Sequence, residues 1–361
     1  MKDSKGKTEV HSGFKIWAED ARKKEYGIEK RMWAKTSKQE RERLRNSFYS
    51  KYFCNTRSHE HTLPYIEYKE LSKFKIKGVS SFISDITNFD RPRHNIYEGE
   101  KILLSRFGGI TAVFSNNYLF FNTDILTLRL KNNDLIHLTI AILNSNLASY
   151  FLQMYLKKRV DGKFSKIGVE DIKQIPIPKD LDQNLILQIS QISKDLSEGK
   201  FEYSEKEEEL NELIYELYEL SYWEKQRVKD YFLPKELIGK KKNKLENYKT
   251  TVNEVLSFYL KNPIIIEETP ADFNLIVVKI SLNNNSINPK ADKTKKFILN
   301  EIFEHNPNGN FLASQEKIYG NDCVYIIKED VNKNWTETKA FEDGQNILKQ
   351  LILSENGERI H

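Results

Sequence analysis

One apolar run, LIHLTIAILNSNLASYFLQMYL (residues 135–156), limits this chain more than any other feature. It is long enough to cross a bilayer, but His137, Asn144, Ser145, Asn146 and Gln153 interrupt it. A membrane span avoids such residues, so the run reads as a helix buried in a protein core, capped by Asp134 and continuing to about Lys158. The chain leaves it through RVDGKFSKIGVEDIKQIPIPKD (159–180): a basic, glycine-containing loop, a short polar helix, and two spaced prolines. The prolines end that helix, because a residue before proline is pushed out of α geometry.

A buried helix needs apolar partners, and the segment before it supplies them. From Leu63 the pattern becomes short β-like runs. PYIEYKEL alternates, KGVSSFISDI is β-branched, and KILLSRFGG is a strand ending on two glycines. ITAVFSNNYLFF predicts a hairpin around Asn116-Asn117, and ILTLRLK alternates again. After the prolines come an amphipathic helix over 182–198 and a long acidic helix from Ser204 to Pro234. Its leucine face (Leu210, Leu213, Ile214, Leu217, Leu220) packs on its own chain or docks a partner.

The expected fold class is α+β: a β-rich domain with long helices, then a helical segment and a small α/β C-terminal module. The predicted divisions are 1–60, 61–180, 181–238 and 250–361, with lysine-rich GKKKNKLENYK (239–249) as a linker. Residues 1–12 read as a disordered lead, and a helix is expected from Ser37, which can cap it. In the last module the expected elements are helices in TVNEVLSFYLK, KKFILNEIFEH and DGQNILKQLIL, and strands in FNLIVVKISL and CVYIIKE.

Cys54 and Cys323 suggest neither a disulfide framework nor a zinc site, which fits a reducing cytoplasm. The N-terminus has no apolar segment of a signal peptide, and no membrane association is expected. Charge is unevenly spread. Residues 1–60 hold 16 Lys/Arg against 9 Asp/Glu, whereas the rest holds 41 against 43. That bias favours an acidic partner and is also what a solvated lysine-rich surface looks like.

The search for catalytic chemistry finds little. No phosphate loop, paired metal-ligand motif or nucleophile elbow occurs. His59 and His61 in HEH lack an obvious third ligand, so no metal and no other cofactor is expected. ETPADFNLIVVKI resembles a nuclease strand superficially, but Val277 stands where a second acidic residue would precede Lys279.

What is present is an order of segments: ILLSRFGG (Ile102–Gly109), AILNSNLASYFL (Ala141–Leu152), the loop Arg159–Ile167, and Ile175–Pro178 in IPIP. This order resembles the target recognition domain of Taq-type DNA adenine methyltransferases, of fused restriction-methylation enzymes, and of type I restriction specificity subunits. The resemblance covers roughly Leu63 to Lys229. The methylating members carry an S-adenosylmethionine-binding half with an Asp/Asn-Pro-Pro-Tyr/Phe motif. Here KNPI at Asn262 and HNPNG at Asn306 lack the second proline. With a methionine opening the chain and no stretch left for that half, the resemblance implies a non-catalytic subunit. It would bind double-stranded DNA at a short site and deliver it to a separate methyltransferase or nuclease chain in restriction-modification or phage defence.

Duplex recognition needs cations for phosphates and polar groups for base edges. Lys157, Lys158, Arg159, Lys163 and Lys166 cluster where the apolar helix ends, although a lysine run there also favours the helix dipole. Arg91, Arg93, His94 and Arg106 are the next candidates, with surface ion pairs as the alternative. Asn116 and Asn117 could read adenine or simply make a turn. Two other readings stay open: a stand-alone nuclease with its site in 250–361, and a protein-binding assembly or inhibitory subunit.

Overall fold

The computed structural model describes residues 9–17, 19–84, 94–107, 109–130, 132–156, 159–160, 163–164, 166–178, 182–238, 244–260, 265–271, 275–282, 315–319 and 323–355. The chain divides into two compact units, Met1–Leu220 and Ser221–His361. Both mix helices with sheets, an α+β fold.

The first unit opens with strand β1 (Glu9–Ser12), where the sequence suggests a disordered lead. Four residues with one apolar side chain, the buried Val10, give no strand signal alone; they are held by pairing with a neighbour. Helices α1 (Glu19–Tyr26), α2 (Lys30–Lys35) and α3 (Lys38–Tyr52) follow. Ser37 caps α3 as expected, its hydroxyl accepting from the Glu40 amide at 3.2 Å. Strands β2 (Phe53–Cys54), β3 (Leu63–Ile66), β4 (Leu71–Ser72), β5 (Lys75–Ile76) and β6 (Ser81–Ile83) are short. Then come β7 (Lys101–Ser105), β8 (Thr111–Ser115), β9 (Phe120–Phe121) and β10 (Ile125–Arg129).

The central sheet runs β1-β10-β7-β8, all antiparallel. Every residue of β7 is buried, because both faces of the sheet are covered. Ile102, Leu104, Leu126 and Leu128 face a core of helices. Leu103, Val113 and Ile125 face an aromatic core with Phe14, Tyr65, Tyr97 and Phe121. That is why KILLS is continuously apolar where a half-solvated strand would alternate. A second sheet runs β2-β6-β3-β9, and β9 lies parallel to β3. The hairpin expected at Asn116-Asn117 is therefore absent. The chain turns there from the first sheet into the second, and Phe120 and Phe121 enter the aromatic core.

The apolar run forms α4 (Ile136–Asn144) and α5 (Asn146–Met154), bent by 59°, in place of the one helix expected. Strands β11 (Arg159–Val160) and β12 (Lys163–Phe164) follow, then α6 (Val169–Gln174), α7 (Gln183–Ser197) and α8 (Tyr203–Leu217). Leu210, Ile214 and Leu217 are buried with α4 and α7 residues in the unit's own core. That gives the leucine face its partner within the chain.

The expected acidic helix also breaks. Glu219 adopts φ 52°, and Ser221 caps a new helix, α9 (Tyr222–Phe232), with its amide and hydroxyl on the Glu224 carboxylate. The division between the two units falls at this break.

The second unit continues with α10 (Lys244–Ser257), β13 (Ile265–Ala271), β14 (Leu275–Ser281), β15 (Gln315–Tyr319), β16 (Cys323–Glu329) and α11 (Glu337–Glu355). Its sheet runs β13-β14-β16-β15 with every pairing antiparallel. The apolar strands expected from sequence, β14 and β16, are the central pair. The edges β13 and β15 escape a sequence reading because edge strands tolerate proline and charge, here Pro270, Glu267 and Lys317. Helices α10 and α11 cover one face through Tyr248, Val252, Leu256, Ala340 and Ile347. A Cβ on Gly344 would approach Val255 to 2.8 Å, so the glycine permits their close crossing. Inside, Asp343 pairs with buried Lys328, receives the Tyr248 hydroxyl at 2.6 Å, and pairs with Lys317 at 2.8 Å. The helix expected in KKFILNEIFEH lies outside the described residues.

Candidate nucleic-acid interface

Two adjacent residues set the bend that aims the chain at the basic segment. The Asn144 side chain is fully buried and bridges one backbone unit of edge strand β8. Its Oδ1 accepts from the Ala112 amide and its Nδ2 donates to the Ala112 carbonyl, both at 2.8 Å. Ser145 then takes an extended conformation, φ −70° and ψ 157°, and its hydroxyl accepts from the Ala148 amide at 3.1 Å. A serine cap inside an apolar run ends one helix and starts the next. The Asn146 amide donates to Asn211 Oδ1 on α8 at 2.9 Å, fixing the start of α5.

Helix α5 ends on Tyr155, which is 69% exposed and stacks on Phe151 at 5.3 Å. Beyond it the segment expected as a loop contains an antiparallel ribbon, Arg159 opposite Phe164 and Val160 opposite Lys163. Asp161-Gly162 lies between those strands in the sequence, and Asp-Gly is a dipeptide that two-residue hairpin connections favour.

The exit of the ribbon is fastened to the central sheet by Arg106. The Ile167 amide donates to the Arg106 carbonyl at 3.0 Å, and Arg106 Nε donates to the Ile167 carbonyl at 2.7 Å. Its NH1 reaches the Thr123 carbonyl at 3.0 Å. Burial pushes the Arg106 pKa down, with Asp124 and Asp171 acting against that shift. The arginine thus acts structurally, joining the end of β7, the turn before β10, and the ribbon's exit. Next to it Lys166 pairs with Asp124 at 3.0 Å and lies 4.8 Å over the Phe107 ring, still 39% exposed. Phe107 in turn packs on the exposed Tyr68 at 5.1 Å. Gly168 then starts α6, its amide donating to Asp171 Oδ2 at 2.6 Å. The segment after α6 is held by the Tyr218 hydroxyl, which donates to the Pro176 carbonyl at 2.7 Å.

Of the sequence candidates, Arg106 and Lys166 meet at Asp124, and Arg159 and Lys163 sit in the ribbon that leads to Lys166. His94 begins a short turn, His94–Ile96. Arg91, Arg93, Lys157 and Lys158 lie outside the described residues, as do the side chains of His94, Arg159 and Lys163. Sequence reasoning missed Tyr68, Phe107, Asp124 and Tyr155. An aromatic or acidic residue beside a cation in a turn carries no pattern of its own. Asn117 gives a turn, its amide donating to the Ser115 hydroxyl at 3.3 Å. The His61 ring is engaged by Ser58 Oγ and the Lys51 carbonyl, both at 3.1 Å. Among the described residues no group of His, Cys, Asp or Glu side chains is arranged to hold a metal ion. No single helix among them is long and apolar enough to cross a membrane.

The ordered set of β7, the bent helix pair, the ribbon, α6 and Pro176 falls inside one stretch. Residues 63–177 match the TaqI-like C-terminal specificity domain. The match runs from the first residue of β3 to Ile177 and covers under half of the chain. It agrees with the resemblance read from the sequence, and it points to DNA sequence recognition in a methyltransferase-related system. No curated protein matches the chain. The specificity domain contains the ribbon, its Arg106 anchor and the Lys166–Asp124 pair.

Proposed function

We propose that this chain is the sequence-specificity component of a restriction-modification or phage-defence system. It binds duplex DNA at a short site and presents it to a separate adenine methyltransferase or nuclease chain, and it works in the cytoplasm. The observation that carries the proposal is the cation-bearing ribbon, Arg159–Val160 with Lys163–Phe164, fastened to a buried sheet within the matched specificity domain. A two-stranded ribbon fits the major groove, where arginine and lysine can bond guanine O6 and N7. A rigid base limits the entropy lost when it docks.

In this scheme Arg159, Lys163 and Lys166 contact DNA, while Arg106 positions them through Ile167. Lys166 would exchange part of its pairing with Asp124 for a phosphate, and Tyr68, Phe107 and Tyr155 supply apolar contact at the rim. The chain itself is non-catalytic in this reading. The sequence lacks the Asp/Asn-Pro-Pro-Tyr/Phe motif that would hold an extruded adenine. The basic residues 14–57 add sequence-independent attraction.

The test is selection of bound duplexes from a randomised pool, with co-purification of partners from the native host. A short enriched site and a recovered methyltransferase or nuclease chain are expected. Enrichment should disappear in Arg159→Ala/Lys163→Ala/Lys166→Ala. Recovery of unselected sequences alone would overturn the specificity role, and DNA cleavage by the purified chain with magnesium would overturn the non-catalytic one.

A further inference from the structure

Outside the specificity domain, helix α3 carries a basic stripe that ends on Tyr49, a half-buried ring stacked on Phe53 at 5.0 Å. The helix buries Phe48 and Tyr52. Lys38, Arg41, Arg45 and Tyr49 follow one another at intervals of three and four residues, and so line up along one side. This stripe, with Trp17, Trp33, Glu42 and Asn46, lines an open cavity of about 590 Å³. That is within the size range of small-ligand sites. Its lining includes three cations, one carboxylate and three aromatic rings.

The cations are held against the rings. Arg41 lies 5.3 Å over Trp33, its NH2 donating to the Ala34 carbonyl at 3.0 Å. Arg22 lies 4.7 Å over the same ring and donates to the Trp17 carbonyl at 2.9 Å. Arg45 lies 5.5 Å over Tyr49. Arg41 Nε is buried with no hydrogen-bond partner among the described residues. Trp17 and Trp33 pack edge to face at 5.8 Å, which keeps both rings in place.

We propose that this cavity binds a nucleotide, with its base against the Trp33–Tyr49 aromatic surface and its phosphate on Lys38 and Arg45. Planar π-faces bordered by arginine and lysine are the chemistry that takes an unstacked base and its phosphate together. Asn46 and Glu42 offer an amide and a carboxylate for the base edge. A base stacked within duplex DNA cannot enter, so the ligand is a free nucleotide or one unit of a single strand. The site shares no residue with the ribbon and stands whether or not the ribbon binds duplex.

The test follows tryptophan fluorescence of the full chain during titration with dAMP and with an oligo-dA of about ten nucleotides, a typical single-strand site size. Quenching by either probe is expected: dAMP alone identifies a free nucleotide, the oligonucleotide identifies a strand, and both outcomes support the site. Lys38→Ala/Arg45→Ala should weaken binding by about tenfold or more through the lost phosphate contacts. Both residues are exposed, so circular dichroism should be unchanged. Arg159→Ala/Lys163→Ala/Lys166→Ala should quench like the parent chain, which separates this site from duplex binding. Absence of quenching by both probes at millimolar concentration would overturn the proposal. Equal quenching in the Lys38→Ala/Arg45→Ala variant would also overturn it.

Discussion

The Asn144 bridge gives the sharpest structural prediction. Its two hydrogen bonds satisfy the outward side of Ala112 on edge strand β8, and both residues are fully buried. The Ala112 carbonyl has a second donor, the Phe74 amide at 3.2 Å, whereas the Ala112 amide depends on Asn144. Asn144→Ala therefore removes two bonds, at about 1 kcal/mol each, and leaves one buried amide orphaned at a further cost of about 1–3 kcal/mol. The expected loss is about 3–5 kcal/mol, a fall in Tm of roughly 6–20 °C for a unit of this size. Asn144→Leu should cost as much, because filling the volume does not satisfy the amide. Asn144→Asp keeps the acceptor, loses the donor and buries a charge, so it should also be destabilising. The assay is thermal unfolding followed by circular dichroism, with urea unfolding as a check. A change within about 0.5 kcal/mol for Asn144→Ala, the range of ordinary surface substitutions, would refute the reasoning.

Other predictions follow from the same geometry. Arg106→Ala frees the Ile167 and Thr123 carbonyls and should cost about 2–4 kcal/mol, since bonds to a charged donor are the stronger kind. It should also speed tryptic cleavage within residues 157–166, and an unchanged cleavage rate would count against the anchoring role. Lys101 is fully buried, donating to the Gly99 and Asn117 carbonyls at 3.0 and 2.6 Å. Burial, with Arg129 adding repulsion, pushes its pKa down from 10.5 to about 8. The folded state then releases its proton before the unfolded chain does, so stability should rise as pH climbs from about 8 towards 10.5. The neutral amine retains two N–H groups for its two carbonyls. Stability of the parent chain relative to Lys101→Met should therefore improve across that window, and a flat difference would contradict the account. In the second unit, Asp343→Ala strands buried Lys328 and should cost about 3–5 kcal/mol, whereas Asp343→Leu/Lys328→Met should cost less. Urea unfolding of both variants gives the comparison.

Several elements follow the local cause stated in the sequence: Ser37 caps α3, KILLS is a buried strand, and α6 ends before Pro176. The cap expected from Asp134 is not formed; Asn132 caps the turn before α4 instead, its Oδ1 accepting from the Asp134 amide at 3.0 Å. Most of the misses depend on a partner distant in sequence; the break in the acidic helix, set by Ser221 on Glu224, is local. β1 exists through β10, and β9 through β3. The edge strands β13 and β15 are defined by pairing rather than by apolar content. Asn-Ser-Asn marks the bend at Ser145, but a helical pattern overrides three polar residues whose partners, Ala112 and Asn211, lie 32 and 65 positions away. The candidate interface is legible as a cluster of cations. The division of labour within it is not: Arg106 supports the ribbon's exit on backbone carbonyls, and Lys166 shares itself with Asp124 and Phe107.

The central claim is that the ribbon and Lys166 meet DNA phosphates and base edges. The most direct test is the salt dependence of duplex affinity for the parent chain and for Arg159→Ala/Lys163→Ala/Lys166→Ala. Each phosphate contact removed should flatten the slope of log K against log salt by about 0.9, so the triple variant should lose up to roughly 2.7 along with its sequence preference. A parallel line, with affinity and slope both unchanged, would contradict the account and move the DNA-binding surface elsewhere on the chain.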